Sequence, residues 1–152
     1  MTIAARLAEL GIVLPVPPAP VAAYVPFVQA GDLLFISGQV PMQDGKMRYA
    51  GKVGGAVDIA QGQEAARLCA VNILAQAQAA LGSLDRVARV VKLGGFVACA
   101  PDFTGHPQII NGASELMLAV FGESGRHVRF AVGAPSLPMD AAVEVEAIFA
   151  VR

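Results

Sequence analysis

Arg129-Phe130-Ala131-Val132, Pro135-Ser136-Leu137-Pro138 and Val143-Glu144-Val145-Glu146-Ala147-Ile148-Phe149-Ala150-Val151 close the chain, and the fold turns on how these three blocks are read. In the last block Val143, Val145, Ala147, Phe149 and Val151 alternate with Glu144, Glu146, Ile148 and Ala150. That period of two marks a strand with one buried face. Arg129 to Val132 reads as a second strand, and the Gly-Ala-Pro-Ser-Leu-Pro segment between them as a turn. A hairpin centred between Ser136 and Leu137 puts Arg129 opposite Glu144, a guanidinium beside a carboxylate. The plain reading of that pair is an ion pair in a subunit interface; the functional reading is a ligand-binding pair. Glu144 and Glu146 share a strand face, and the register singles out Glu144.

Working outward, residues 2–10 suggest a short helix closed by Gly11. Pro15, Pro17, Pro18 and Pro20 make residues 14–20 a stiff extended connector, because proline removes backbone donors and fixes φ. Val25–Ala30 and Leu33–Ser37 flank Gly31-Asp32, a two-residue hairpin step with positive φ at its first central position. A weak strand follows at Lys46–Tyr49. Asp58 caps a long helix in which Gln61 reaches back to the cap and which Gly82 stops after Leu81. Val87–Cys99 predicts a central strand, where Gly94-Gly95 implies a bulge or a tight contact. Pro107 starts a second helix, running from Gln108 to Gly122. The plan is α+β: a mixed sheet with two main helices packed on one face.

Composition bounds the function. The 152 residues are 55% apolar and 15% charged, against about 25% charged in average usage, so a lone globule lacks polar surface and a symmetric oligomer is expected. A chain of this length makes one domain. No apolar run is long enough for a membrane span, and the start of the chain lacks a secretory pattern. The net charge is −1 and the eleven basic residues are scattered, which argues against nucleic acid as a partner. Cys69 and Cys99 have neither disulfide nor metal-clamp spacing and fit a reducing cytoplasm; Cys99 reads as core. His106 and His127 lie near loop signals without a ligand at metal spacing, so no metal site is expected, and His106 reads as a loop residue.

Several segments together resemble the YjgF family, also called the Rid or reactive-intermediate deaminase family, over residues 20–152. They are Ala23-Tyr24-Val25-Pro26, Ile36-Ser37-Gly38-Gln39-Val40-Pro41, the pattern around Asn72, Val91–Val97, Asn111, and the terminal block of Arg129, Leu137-Pro138 and Val143–Ile148. No fragment is specific alone; their order and spacing are. The resemblance implies a single RidA-like domain over 1–152, with residues 1–20 as a helical, Pro-rich extension. It also implies a chorismate-mutase-like fold of the bacillus type and a homotrimer with ligand clefts between subunits.

The activity it implies is hydrolysis of short-lived enamines and imines of small 2-oxo acids, such as 2-aminoacrylate or 2-iminopropanoate, to the oxo acid and ammonia, without a metal or organic cofactor. Arg129 then holds the substrate carboxylate with its planar fork. The backbone at Ala131 completes the contacts, and Glu144 orients the attacking water. Tyr24, Gly38 and Asn111 fall at positions that border the cleft, although Tyr24 also reads as ordinary packing and Gly38 as a backbone-geometry residue. Two departures stand out: Ala131 replaces the Cys often seen in the deaminases, and Thr104–Ile110 is longer than in the shorter members, as in a longer branch. Two other readings stay open, a non-catalytic trimeric module binding a small carboxylate metabolite, and a ribonuclease or translation inhibitor.

Overall fold

The computed structural model describes residues 1–17 and 22–152. The part of the expected Pro-rich connector at 18–20 lies outside the described residues. Helix α1 (Ile3–Glu9) starts at Thr2, whose hydroxyl accepts from the Ala5 N–H, and it tucks Leu7 into the core. Strands β1 (Phe27–Ala30) and β2 (Leu33–Gln39) form the expected hairpin, Ala30 opposite Leu33, with Gly31 at φ +59°. A two-stranded ribbon, β3 (Met42–Gln43) and β4 (Lys46–Met47), turns at Asp44-Gly45. The Asn72 amide ties this region to the helix layer by donating to the carbonyls of Val40 and Met42 at 2.9 and 3.0 Å.

Helix α2 (Ile59–Leu81) carries the expected capping box: Gln61 N–H donates to Asp58 and the Gln61 side chain accepts from the Asp58 N–H. Gly82 ends it in the left-handed region at φ +76°. The chain then enters β5 (Val87–Ala98), returns through α3 (His106–Phe121) into β6 (Val128–Ala134), and finishes in β7 (Val143–Val151). The five-stranded sheet runs β1-β2-β7-β5-β6. α2 and α3 cover one face, where Leu34, Val97, Val143, Val145 and Phe149 are fully buried. The other face is open and carries Phe35 and Phe96, 41% and 37% exposed. Gly94-Gly95 mark tight contacts, against Phe130 and Ile110, and the β5–β7 register is unbroken through them.

The hairpin expected between residues 129–132 and 143–151 does not form. β6 pairs in parallel with β5, Arg129 opposite Leu93, and β7 pairs antiparallel with the other edge of β5, Glu144 opposite Phe96. The two terminal strands are antiparallel in direction, as expected, but β5 lies between them. α3 carries the chain back along β5, so β6 must enter parallel to it, as in any β-α-β crossover. Residues 135–142 then step over β5, a distance of about 10 Å at normal strand spacing.

The helix layer is close-packed through Gly112 of α3. A Cβ there would collide with the Gln63 carbonyl oxygen of α2 and lie 2.9 Å from its carbon. The obstacle is backbone, which cannot rotate aside. Gly112→Ala is therefore expected to cost about 3 kcal/mol by forcing the helices apart. A thermal melt should show the midpoint falling by roughly 6–12 °C; an unchanged midpoint would mean the two helices separate freely.

Candidate functional site

Arg129 sits on β6, the free edge of the sheet, with its side chain on the helix face, since its partner Leu93 is fully buried there. It is neither splayed into solvent nor sealed in. Nη1–H donates to Ser114 Oγ at 3.0 Å and Nη2–H donates to the Pro107 carbonyl at 3.3 Å, both on α3. A guanidinium has five N–H donors, so two bonds fix its plane and, among the described residues, the others remain for a ligand. Pro107, Asn111 and Ser114 recur at helical spacing along one face of α3, which puts Asn111, in the second turn, on the face that Arg129 meets. Ala131 lies one step along the same strand face, opposite Gly95. As β6 is an edge strand, half of its backbone groups point away from β5 and are free to meet a ligand.

Farther along this strand face, Gly133 makes room for a thiol and an imidazole. A Cβ at 133 would lie 2.6 Å from His106 Nε2 and 3.0 Å from Cys99 Sγ, and these two atoms are 3.4 Å apart. His106, expected in a loop, is instead the first residue of α3, packed edge-on to Phe103. The longer segment Thr104–Ile110 is mostly helix, with Ile109 and Ile110 fully buried, and its Pro107 carbonyl holds Arg129. Cys69 is different: fully buried, donating to the Val143 carbonyl at 3.6 Å, its thiol is pushed well above the ordinary range by burial and then by the charge of Glu144. It is inert.

Glu144 lies on the opposite face of the sheet. Its partner Phe96 is three residues from Leu93 in an unbroken register, so the two point to opposite sides. The carboxylate packs over Gly38: a Cβ at 38 would overlap Glu144 Oε1 and sit 3.0 Å from Cδ. The glycine at 38 is needed for space, beside the irregularity between Ile36 and Gln39 where β2 loses register with β7. Half-burial, then the neighbouring charge of Glu146, raises the Glu144 carboxyl above its ordinary value. Among the described residues no Lys or Arg forms a salt bridge with it. Tyr24, 65% exposed, precedes Pro26, whose carbonyl accepts from the Ser37 N–H, and so belongs to the Gly38 end of the sheet.

The expected site residues therefore form two groups. Arg129, Ala131 and Asn111 line the β6–α3 edge, while Glu144, Gly38 and Tyr24 belong to the β1–β2–β7 side. They do not meet in one chain, which corrects the expectation of Arg129 beside Glu144. Two open depressions on the helical layer, one bounded by Gln63, Glu64, Arg67 and Glu115, the other by Ala4, Leu7 and Gly82, contain none of the six. Among the described residues no group of three or more His, Cys, Asp or Glu gathers at metal distance, and no helix is long and apolar enough to cross a membrane.

Ser114, His127 and the Cys99–His106 contact escaped the sequence reading. Ser114 had a signal, its position two turns after Pro107 on one helix face. His127 had none, because its partners are a serine thirteen positions away and a carbonyl of the preceding turn.

The class of protein is set by this arrangement: an α+β chain whose β-α-β unit presents a pinned arginine on a sheet edge. The chain belongs to the family described as "YjgF/chorismate mutase-like, putative endoribonuclease", which matches residues 4–151 and so takes in α1 as well as the sheet. It is 50% identical over 147 residues to Protein TCP17 of Trypanosoma cruzi, covering 96% of this chain and 92% of that protein. The protein Atu1372 of unknown function from Agrobacterium tumefaciens is 54% identical, with a TM-score of 0.93 over 99% of this chain and 92% of that one. E. coli TdcF with bound serine is 27% identical, with a TM-score of 0.65 over 90% and 94%.

Proposed function

We propose that this protein hydrolyses reactive enamines and imines of small 2-oxo acids, of the 2-aminoacrylate and 2-iminopropanoate type, to the oxo acid and ammonia. The observation that carries the reading is the Arg129 guanidinium, fixed in plane by Ser114 and Pro107 and left with N–H groups to spare. Such a fork binds a carboxylate by two parallel charge-assisted bonds and so fixes the neighbouring imine carbon. The serine held by TdcF is a small carboxylate of the same size class.

In this reading the cleft lies between subunits of a homotrimer in the cytoplasm, Arg129, Ala131 and Asn111 coming from one copy and Glu144, Gly38 and Tyr24 from its neighbour. Open apolar side chains on the sheet face supply the contact. Glu144 takes a proton from water as the oxygen attacks the imine carbon; the C=N electron pair moves to nitrogen, which takes up a proton. The resulting carbinolamine expels ammonia as its hydroxyl becomes the carbonyl. An enamine first gains a proton at C3 to become the imine. The raised pKa of Glu144 suits a group that both accepts and returns a proton.

The test is to generate 2-aminoacrylate in situ with a serine dehydratase and follow pyruvate and ammonia. Addition of the protein should accelerate their appearance well beyond the uncatalysed rate. No acceleration, with serine or pyruvate still bound in calorimetry, would favour the second reading, a carboxylate-binding module, since Arg129 serves both. The ribonuclease reading takes support from the family description; salt-dependent RNA binding and cleavage would be its signature.

A further inference from the structure

Behind Arg129 runs a chain of three hydrogen bonds whose directions can all be assigned. His127 Nδ1 is 2.6 Å from the Gly125 carbonyl, His127 Nε2 is 2.9 Å from Ser114 Oγ, and Ser114 Oγ is 3.0 Å from Arg129 Nη1. A carbonyl only accepts, so Nδ1 carries the hydrogen. The neutral ring then offers a bare Nε2, which accepts a hydrogen bond from the Ser114 hydroxyl, and the serine oxygen turns its lone pairs to the guanidinium. With the ring neutral each bond runs one way: Nδ1–H donates to Gly125, the Ser114 hydroxyl donates to Nε2, and Arg129 donates to Ser114.

We propose that Ser114 and His127 are positioning residues that set the Arg129 fork for a carboxylate and sense its occupancy. The inference rests on Arg129 being the carboxylate anchor. Ser114 Oγ has two lone pairs and so keeps one for Arg129 in either charge state of His127. The ring is half-buried, and its pKa lies below the ordinary value through that burial and, to a lesser degree, the Arg129 charge, against the pull of the Gly125 carbonyl. Other charged groups on the surrounding elements are Glu123 and Arg126 in the preceding turn, paired with each other at 3.0 Å, Arg89 and Lys92 on β5, and Glu115 on α3. The Arg129 charge, reaching the ring through Ser114, pushes the His127 pKa down. A carboxylate on Arg129 offsets that charge, so its binding raises the His127 pKa. By reciprocity, protonation of His127 tightens the carboxylate.

Two measurements test this. In turnover of 2-aminoacrylate, Ser114→Ala and His127→Phe should each raise KM about tenfold, the loss of one bond to a charged group, with kcat nearly unchanged. Ser114→Thr, which keeps the hydroxyl, should restore the wild-type KM. In ¹⁵N NMR, wild-type His127 should show the Nδ1–H tautomer and a pKa that rises when L-serine is added, a shift absent in Arg129→Ala. An Nε2–H tautomer, a His127 pKa indifferent to serine in the wild type, or an unchanged KM in Ser114→Ala would overturn the proposal. If the wild type does not turn over the imine, the deaminase reading fails alone; the NMR arm still decides the relay.

Discussion

Arg129→Ala should lower kcat/KM for in situ 2-aminoacrylate by about a hundredfold or more, the scale of losing a bidentate charge-assisted contact to a substrate carboxylate. The loss should not come from unfolding. Arg129 is half-exposed on an edge strand, and its two partners, a hydroxyl and a helix carbonyl, can turn to water once it is gone. Circular dichroism and the melting midpoint should stay close to wild type. Arg129→Lys should recover only part of the activity, because an ammonium keeps the charge and loses the planar fork. A variant within threefold of wild type would separate Arg129 from the chemistry.

The second large effect follows from the two sheet faces. Glu144→Gln should also abolish turnover, by at least about a hundredfold if the carboxylate is the base. When Arg129→Ala and Glu144→Gln subunits are mixed after reversible dissociation, activity should reappear. In the proposed homotrimer a cleft takes Arg129 from one copy and Glu144 from the next. In a random equimolar trimer half of the subunits carry an intact Arg129 and half carry an intact Glu144. One half of one half, about a quarter of the clefts, then has both. Recovery near that level would fix the cleft as shared between chains. Mixed trimers that form and stay inactive would mean that Arg129 and Glu144 do not cooperate across an interface.

Much of the fold was legible because its signals are local. Asp58 and Gln61 form their capping box within one turn, Gly82 stops α2 by a single left-handed residue, and Gly31-Asp32 joins β1 to β2 with no help from the rest of the chain. The alternation in residues 143–151 gave the right strand and the right buried face. The pairing of that strand was not legible. A turn-like segment between two strands reads as a hairpin unless something inserts, and what inserts here is β5, some forty residues upstream of β6 and committed to it through α3. One misplaced neighbour moved Arg129 and Glu144 from the same side of a ladder to opposite faces of a sheet.

Sequence alone determined the elements and the α+β plan, because caps, turns and periodicity act over a few bonds, and the order and spacing of its segments carried the family resemblance. Only the tertiary structure decided which strands are neighbours, that Gly38 makes room for Glu144, and that Ser114 and His127 stand behind Arg129. Those contacts join residues far apart in the chain, and their partners are chosen by where α3 crosses the sheet, a geometry no local pattern encodes.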